Sequence, residues 1–161
     1  MPLLDRDGWR EDAYVLVDQW TEAPAIIVPR QALDEALARR TEGQRIGLTL
    51  PPDCEPSALP DDTSGLDLVR VEFPGMVDGR GFSIARKLRG NCFSGTLRAA
   101  GELIPDQFDF ALRCGFIEIE ISAERAARQP IEQWLAAVSA YGLAYQGAGS
   151  ILEKRAARRA A

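Results

Sequence analysis

The sequence contains no histidine. That absence removes the Ser-His-Asp triad, the Cys-His pair and every histidine-ligated metal site from the chemistry this chain can supply alone. Cysteine is scarce as well: Cys54, Cys92 and Cys114 are the three present, too far apart for a CxxC pair. Haem, zinc and iron–sulfur sites built by this chain are therefore not expected, no cofactor motif is evident, and the expected metal complement is none. No apolar run approaches the roughly 20 residues of a membrane helix. The start, Met1 to Asp7, lacks the basic stretch and apolar core of a signal peptide. The expectation is a soluble, cytoplasmic protein with reduced thiols. Positive charge is in deficit too, with 19 Lys and Arg against 24 Asp and Glu and a net charge of -5. This balance argues against nucleic acid and anionic membranes as partners, since both require a basic surface.

What is present suits one globular core: 161 residues, 46% hydrophobic and 27% charged. Residues 1–146 are expected to form a single domain with residues 1–20 as a packed N-terminal extension, in which Tyr14 to Val17 makes a short strand or hairpin. Residues 147–161, rich in Ala, Arg and Lys, read as a flexible or helical tail. Strand patterns occur at 25–28, 45–50, 66–73, 96–100 and 116–121, with a last short one at 143–145. Helical patterns follow Pro29, the turn at 78–81, Pro105 and Ser122, while the prolines between 51 and 65 mark a loop. This alternation predicts an α/β fold: a mainly parallel sheet of about five strands with right-handed helical crossovers, open or partial-barrel-like.

Three of those strands alternate charged with apolar residues, whereas buried parallel strands are usually apolar throughout. One sheet face is predicted to carry Arg70, Glu72, Arg98, Glu118 and Glu120, with signs suited to cross-strand pairing. Such a face is either solvated, with salt bridges of small worth, or the lining of a partly open barrel-like pocket. The solvated face is the default expectation.

The residues best suited to binding chemistry lie where a strand feeds a helix. Asp78-Gly79-Arg80-Gly81-Phe82-Ser83 follows strand 66–73; unpaired backbone N–H groups at a helix start attract anions, and glycines permit close approach. Arg80 can add a bidentate contact to an oxyanion. The competing reading makes Asp78 or Ser83 an ordinary helix cap and the glycines parts of a tight turn. Asp106-Gln107 follows the next strand, at the edge where parallel sheets gather ligands; alternatively Asp106 simply favours the helix dipole. Arg98 completes the candidate ligand set. Cys114 follows the cation Arg113 but sits at a helix C-terminus, the wrong dipole end for a reactive thiol, and reads as a small core residue. Trp134 lies on an apolar helical stripe and reads as core.

Taken in order, Asp78-Gly-Arg-Gly-Phe-Ser-Ile-Ala-Arg-Lys-Leu-Arg89, Leu97-Arg-Ala-Ala-Gly101, Ile104-Pro-Asp-Gln107 and Leu112-Arg-Cys-Gly-Phe116 resemble the bacterial domain of unknown function 934 over roughly residues 20–146. Members of that family are often labelled oxidoreductases and tend to be encoded beside sulfite reductase. The resemblance implies an accessory role in assimilatory sulfite reduction and carries over no catalytic residue. Two classes stay open: a partner or assembly factor of sulfite reductase, or an enzyme or sensor that binds a small oxyanion or phosphorylated ligand at Gly79–Ser83 with Arg80, Arg98 and Asp106.

Overall fold

The computed structural model describes residues 1–54, 63 and 65–140. The chain opens with strands β1 (Leu3–Asp5), β2 (Gly8–Arg10) and β3 (Val15–Leu16). It continues through β4 (Ala25–Pro29), helix α1 (Arg30–Ala38), β5 (Arg45–Leu50), β6 (Leu68–Phe73) and α2 (Arg80–Gly90). Then come β7 (Thr96–Gly101), α3 (Pro105–Arg113), β8 (Glu118–Glu120), α4 (Ala123–Arg128) and α5 (Ile131–Ala140). The expected strand at 143–145 and the tail at 147–161 lie outside the described residues, as does most of the loop before β6.

The strands form one sheet in the order β2-β1-β8-β7-β6-β5-β4-β3, curled into an open half-barrel. From β3 to β8 every neighbouring pair is parallel and consecutive in sequence. The expectation of about five parallel strands needs correcting: among the described residues the sheet has eight strands and is mixed. The extra strands come from the N-terminal segment, where β1 and β2 form a hairpin and β1 pairs antiparallel with β8. The turn chemistry that makes the hairpin is local. Asp5 Oδ1 accepts the N–H groups of Asp7 at 2.8 Å and Gly8 at 3.2 Å, and Gly8 adopts φ 132°. An aspartate before a glycine turn was a legible signal that the apolar patterning of residues 1–20 is too short to reveal.

Period-two alternation then divides the sheet into two faces. Ile26, Val28, Ile46, Leu48, Val69, Val71, Leu97, Ala99 and Ile119 join one core cluster with Leu33 and Ala36 of α1, Phe82, Ile84 and Leu88 of α2, Phe108 of α3 and Trp134 of α5. All four of these helices thus cover the same face. The other face, the inside of the half-barrel, carries the charged residues. Cys114 and Trp134 are buried as expected, and burial raises the Cys114 thiol pKa. Among the described residues no helix is long and apolar enough to cross a membrane.

Candidate functional site

The turn after β6 is held by its own residues. Asp78 N–H donates to the Gly75 carbonyl at 3.0 Å, and Asp78 Oδ1 accepts the Arg80 backbone N–H at 3.1 Å. The Arg80 guanidinium folds back on the same carboxylate, with Nη2 2.6 Å from Oδ2 and Nε 3.0 Å from Oδ1. Hydrogen bonds from Arg80 hold the Asp78 carboxyl below the usual aspartate range. The charge expected to meet an oxyanion is therefore already engaged two residues away, and the carboxylate occupies the start of the helix. Ser83 is exposed one turn along α2 and does not cap it.

Gly81 has a packing reason. A Cβ there would come within 2.4 Å of the Phe73 ring, which packs under α2 and stacks obliquely on Phe82 at 4.9 Å. A Cβ on Gly79 would meet nothing closer than Phe82 at 3.9 Å, and its φ of -89° suits any residue. Gly81→Ala should therefore cost about 1–3 kcal/mol through overpacking, whereas Gly79→Ala should stay within about 0.5 kcal/mol. Urea unfolding of the two variants checks this. Equal losses would mean that close ring packing is not what selects glycine at 81.

Asp106 and Gln107 open α3 at the same end of the sheet. Gln107 Nε2 donates to the Met76 carbonyl at 2.7 Å, which ties the β6–α2 turn to the start of α3, and Gln107 Oε1 accepts the Ile104 N–H at 3.2 Å. Met76, Ile104, Pro105 and Asp106 form one wall of a groove whose other wall is Gln129, Gln133 and Ala137. The glycine turn shares this edge without lining the groove. Asp106 and Gln107 thus stand near the 78–83 turn, and the groove beside Asp106 is lined without Gly79 or Arg80.

Arg98 belongs to a different site altogether, because odd and even residues of β7 face opposite sides of the sheet. Its side chain is 2% exposed inside the half-barrel. There it donates to Asp12 through Nη1 at 2.7 Å and Nη2 at 2.8 Å, to Glu118 at 2.7 Å and to Glu120 at 3.4 Å. Arg70 lies beside it, making bidentate bonds to Glu120 at 3.0 and 3.1 Å and further bonds to Thr49 at 3.1 Å and Glu72 at 2.7 Å. The five residues expected on one face are all there, but the default of a solvated face is corrected: Arg70, Arg98 and Glu120 are buried. Curling of the sheet brings side chains of neighbouring strands together and excludes the water that a flat open face would admit.

The register explains the arrangement. Arg70 stands directly opposite Arg98, a like-charge pairing that is unfavourable by itself. Glu120 resolves it by touching both, and Arg70 on β6 reaches Glu120 on β8 across β7 where the small Ala100 leaves room. Burial opposes the charge on Arg98, but hydrogen bonds and attraction from Asp12 and Glu118 outweigh it and raise its pKa. Burial likewise opposes ionisation of Asp12, yet hydrogen bonds from Arg98 and the Tyr14 N–H hold it below the usual aspartate value. Asp12 was not among the expected site residues. It comes from the link between β2 and β3, 86 residues away from Arg98 in sequence, and no local pattern marks it. Tyr14 follows it, between the guanidinium groups of Arg45 at 4.9 Å and Arg98 at 5.7 Å. Residues 12–14 thus form a strap across the end of the half-barrel where β5, β7 and β8 begin.

Among the described residues no group of His, Cys, Asp or Glu is arranged to hold a metal ion. The family model described as a bacterial protein of unknown function, DUF934, matches residues 47–154. The chain belongs to this family. The matched region takes in the glycine turn, the groove beside Asp106 and the network residues Arg70, Glu72, Arg98, Glu118 and Glu120, while Asp12 and the N-terminal hairpin precede it. No curated protein matches the chain.

Proposed function

We propose that the chain is an accessory protein of assimilatory sulfite reduction that acts by binding sulfite reductase, as a partner or assembly factor. The family resemblance supplies the identity of the partner. The observation that carries the binding role is the pair of exposed apolar side chains at the sheet edge: Val77 is 94% exposed and its neighbour Met76 about half exposed, in the turn that Gln107 ties to the start of α3. Large apolar side chains gathered in this way on a surface mark interaction sites more often than single exposed ones do. The cations that an anion-binding reading requires are, by contrast, consumed internally, Arg80 by Asp78 and Arg98 by Asp12, Glu118 and Glu120.

The test is calorimetric titration of the purified chain with sulfite reductase from the same host, alongside sulfite, sulfate and phosphate. A complex with the reductase and no heat from the oxyanions is the expected result. An oxyanion signal that Arg80→Ala abolishes, without a reductase complex, would replace this reading by the second one, a small-anion-binding enzyme or sensor at Gly79–Ser83.

A further inference from the structure

Between the 12–14 strap and the starts of β5 and β7 lies a cavity of about 170 Å³ with a mainly polar wall. Three arginines and three carboxylates contribute to that wall. Most of those charges are answered within the chain. Asp12, Arg98 and Glu118 bond to one another in the network that continues to Glu120, Arg70 and Glu72. Arg10 lies 3.3 Å from Asp5. Asp67, which acts on Tyr14 from outside the cavity, is taken by Arg40 and by the Ile46 N–H, each at 2.9 Å. The Met1 ammonium acts on Asp12 without forming an ion pair with any described residue.

One charge of each sign is left. Glu11 and Arg45 both line the cavity, both are exposed, and neither has an ion-pair partner among the described residues. Arg45 stands over the Tyr14 ring at 4.9 Å, a contact that orients its guanidinium and leaves the N–H groups without an acceptor among the described residues. The hydroxyls of Tyr14 and Thr96, also in the wall, bond to no described residue. An exposed charge is ordinarily answered by water, so neither Glu11 nor Arg45 alone marks a site. What sets them apart is that both open onto one small cavity together with two free hydroxyls. The strap also fixes them. Both oxygens of Asp12 are held by Arg98, and Asp12 accepts the Tyr14 N–H at 3.0 Å, so Glu11 and Tyr14 on either side are held over the sheet. Polar groups positioned in advance lower the ordering cost of binding.

We infer that this cavity binds a small zwitterion, a free α-amino acid with a short side chain, with Arg45 taking its carboxylate and Glu11 its ammonium. The volume is below the roughly 300–1,000 Å³ of sites for drug-sized ligands, which restricts the occupant to few atoms. A bare anion would satisfy Arg45 but meet Glu11, and a bare cation the reverse. A molecule with both charges finds an opposite one at each end, and each contact is a charge-assisted hydrogen bond. The cavity lies where the parallel strands begin, at the end of the sheet opposite the 76–77 turn that follows β6, and the inference does not depend on the partner reading.

Amide NMR titrations of the full chain with L-alanine, acetate and methylammonium test this. L-Alanine is expected to shift the amides of residues 11–14, Arg45 and Thr96 saturably, and acetate and methylammonium to bind at least about tenfold more weakly. Arg45→Ala and Glu11→Gln should each weaken L-alanine binding at least about tenfold. Neither should move amides elsewhere, because neither side chain braces the fold through an ion pair with a described residue. Acetate or methylammonium binding as tightly as L-alanine would reduce the cavity to a site for one charge and overturn the assignment. So would L-alanine binding that either variant leaves intact, or no shift of these amides at millimolar L-alanine. Sulfite reductase is absent from every arm, so none of these outcomes bears on the partner reading.

Discussion

Arg98→Ala should destabilise the fold by about 3–5 kcal/mol, the range seen when one partner of a buried ion pair is removed. The loss is large because Asp12, Glu118 and Glu120 are left without their shared cation, and Glu120 is itself buried. Arg98→Lys should recover only part of it, since an ammonium keeps the charge but lacks the planar fork that meets both oxygens of Asp12. The pH dependence has a definite sign. The folded pKa of Asp12 is depressed, so its contribution is fully present above the unfolded value of about 3.9 and disappears as pH falls through the lower folded value. Urea unfolding near neutrality and near pH 3 should show this loss in the wild type and much less of it in Arg98→Ala. A cost below 1 kcal/mol at neutral pH would mean that the inner face is hydrated enough to screen its charges.

Trp134→Ala should cost a similar 3–5 kcal/mol, here through a cavity rather than a charge. The indole is fully buried on α5, packs edge to face on Phe108 of α3 at 5.9 Å and donates from Nε1 to the Gln129 carbonyl at 3.3 Å. Trp134→Phe keeps an aromatic ring in place and should lose roughly the 0.5–1.5 kcal/mol of one hydrogen bond plus some packing. Because α5 also supplies Gln133 and Ala137 to the groove beside Asp106, the alanine variant should loosen that wall. Hydrogen exchange across 131–138 measures both effects. Unchanged protection there would show that α5 is anchored by something other than its tryptophan.

The two variants separate the features that could be read along the chain from those that could not. Trp134 was legible because a helical apolar stripe has a period of 3.6 residues, and the residue at its centre is buried whatever the helix packs against. The five charged residues of the inner face were legible as a set for the same kind of reason, since strand period places every second residue on one side. Their environment was not. Alternation states which residues share a face but not whether that face is flat and wet or curled and dry, and here curvature decided it. The expected ligand set is divided on similar grounds: Arg80 finds Asp78 at a sequence distance of two, and Arg98 points to the opposite side of the sheet.

By itself the sequence determined the alternation of strands and helices, the parallel neighbours from β4 to β8, the buried Cys114 and Trp134, and the family. Each of these depends on local periodicity, on turn residues or on an ordered series of short motifs. Only the tertiary structure decided that β1 and β2 join the sheet beside β8, that Asp12 straps the half-barrel through Arg98, and that Arg70 crosses β7 above Ala100 to reach Glu120. The two side-chain contacts join residues 86 and 50 positions apart, and the second depends on a small residue leaving space for a long one on another strand. Neither kind of information is present in any short window of sequence, because it is set by sheet register and curvature once the chain has folded.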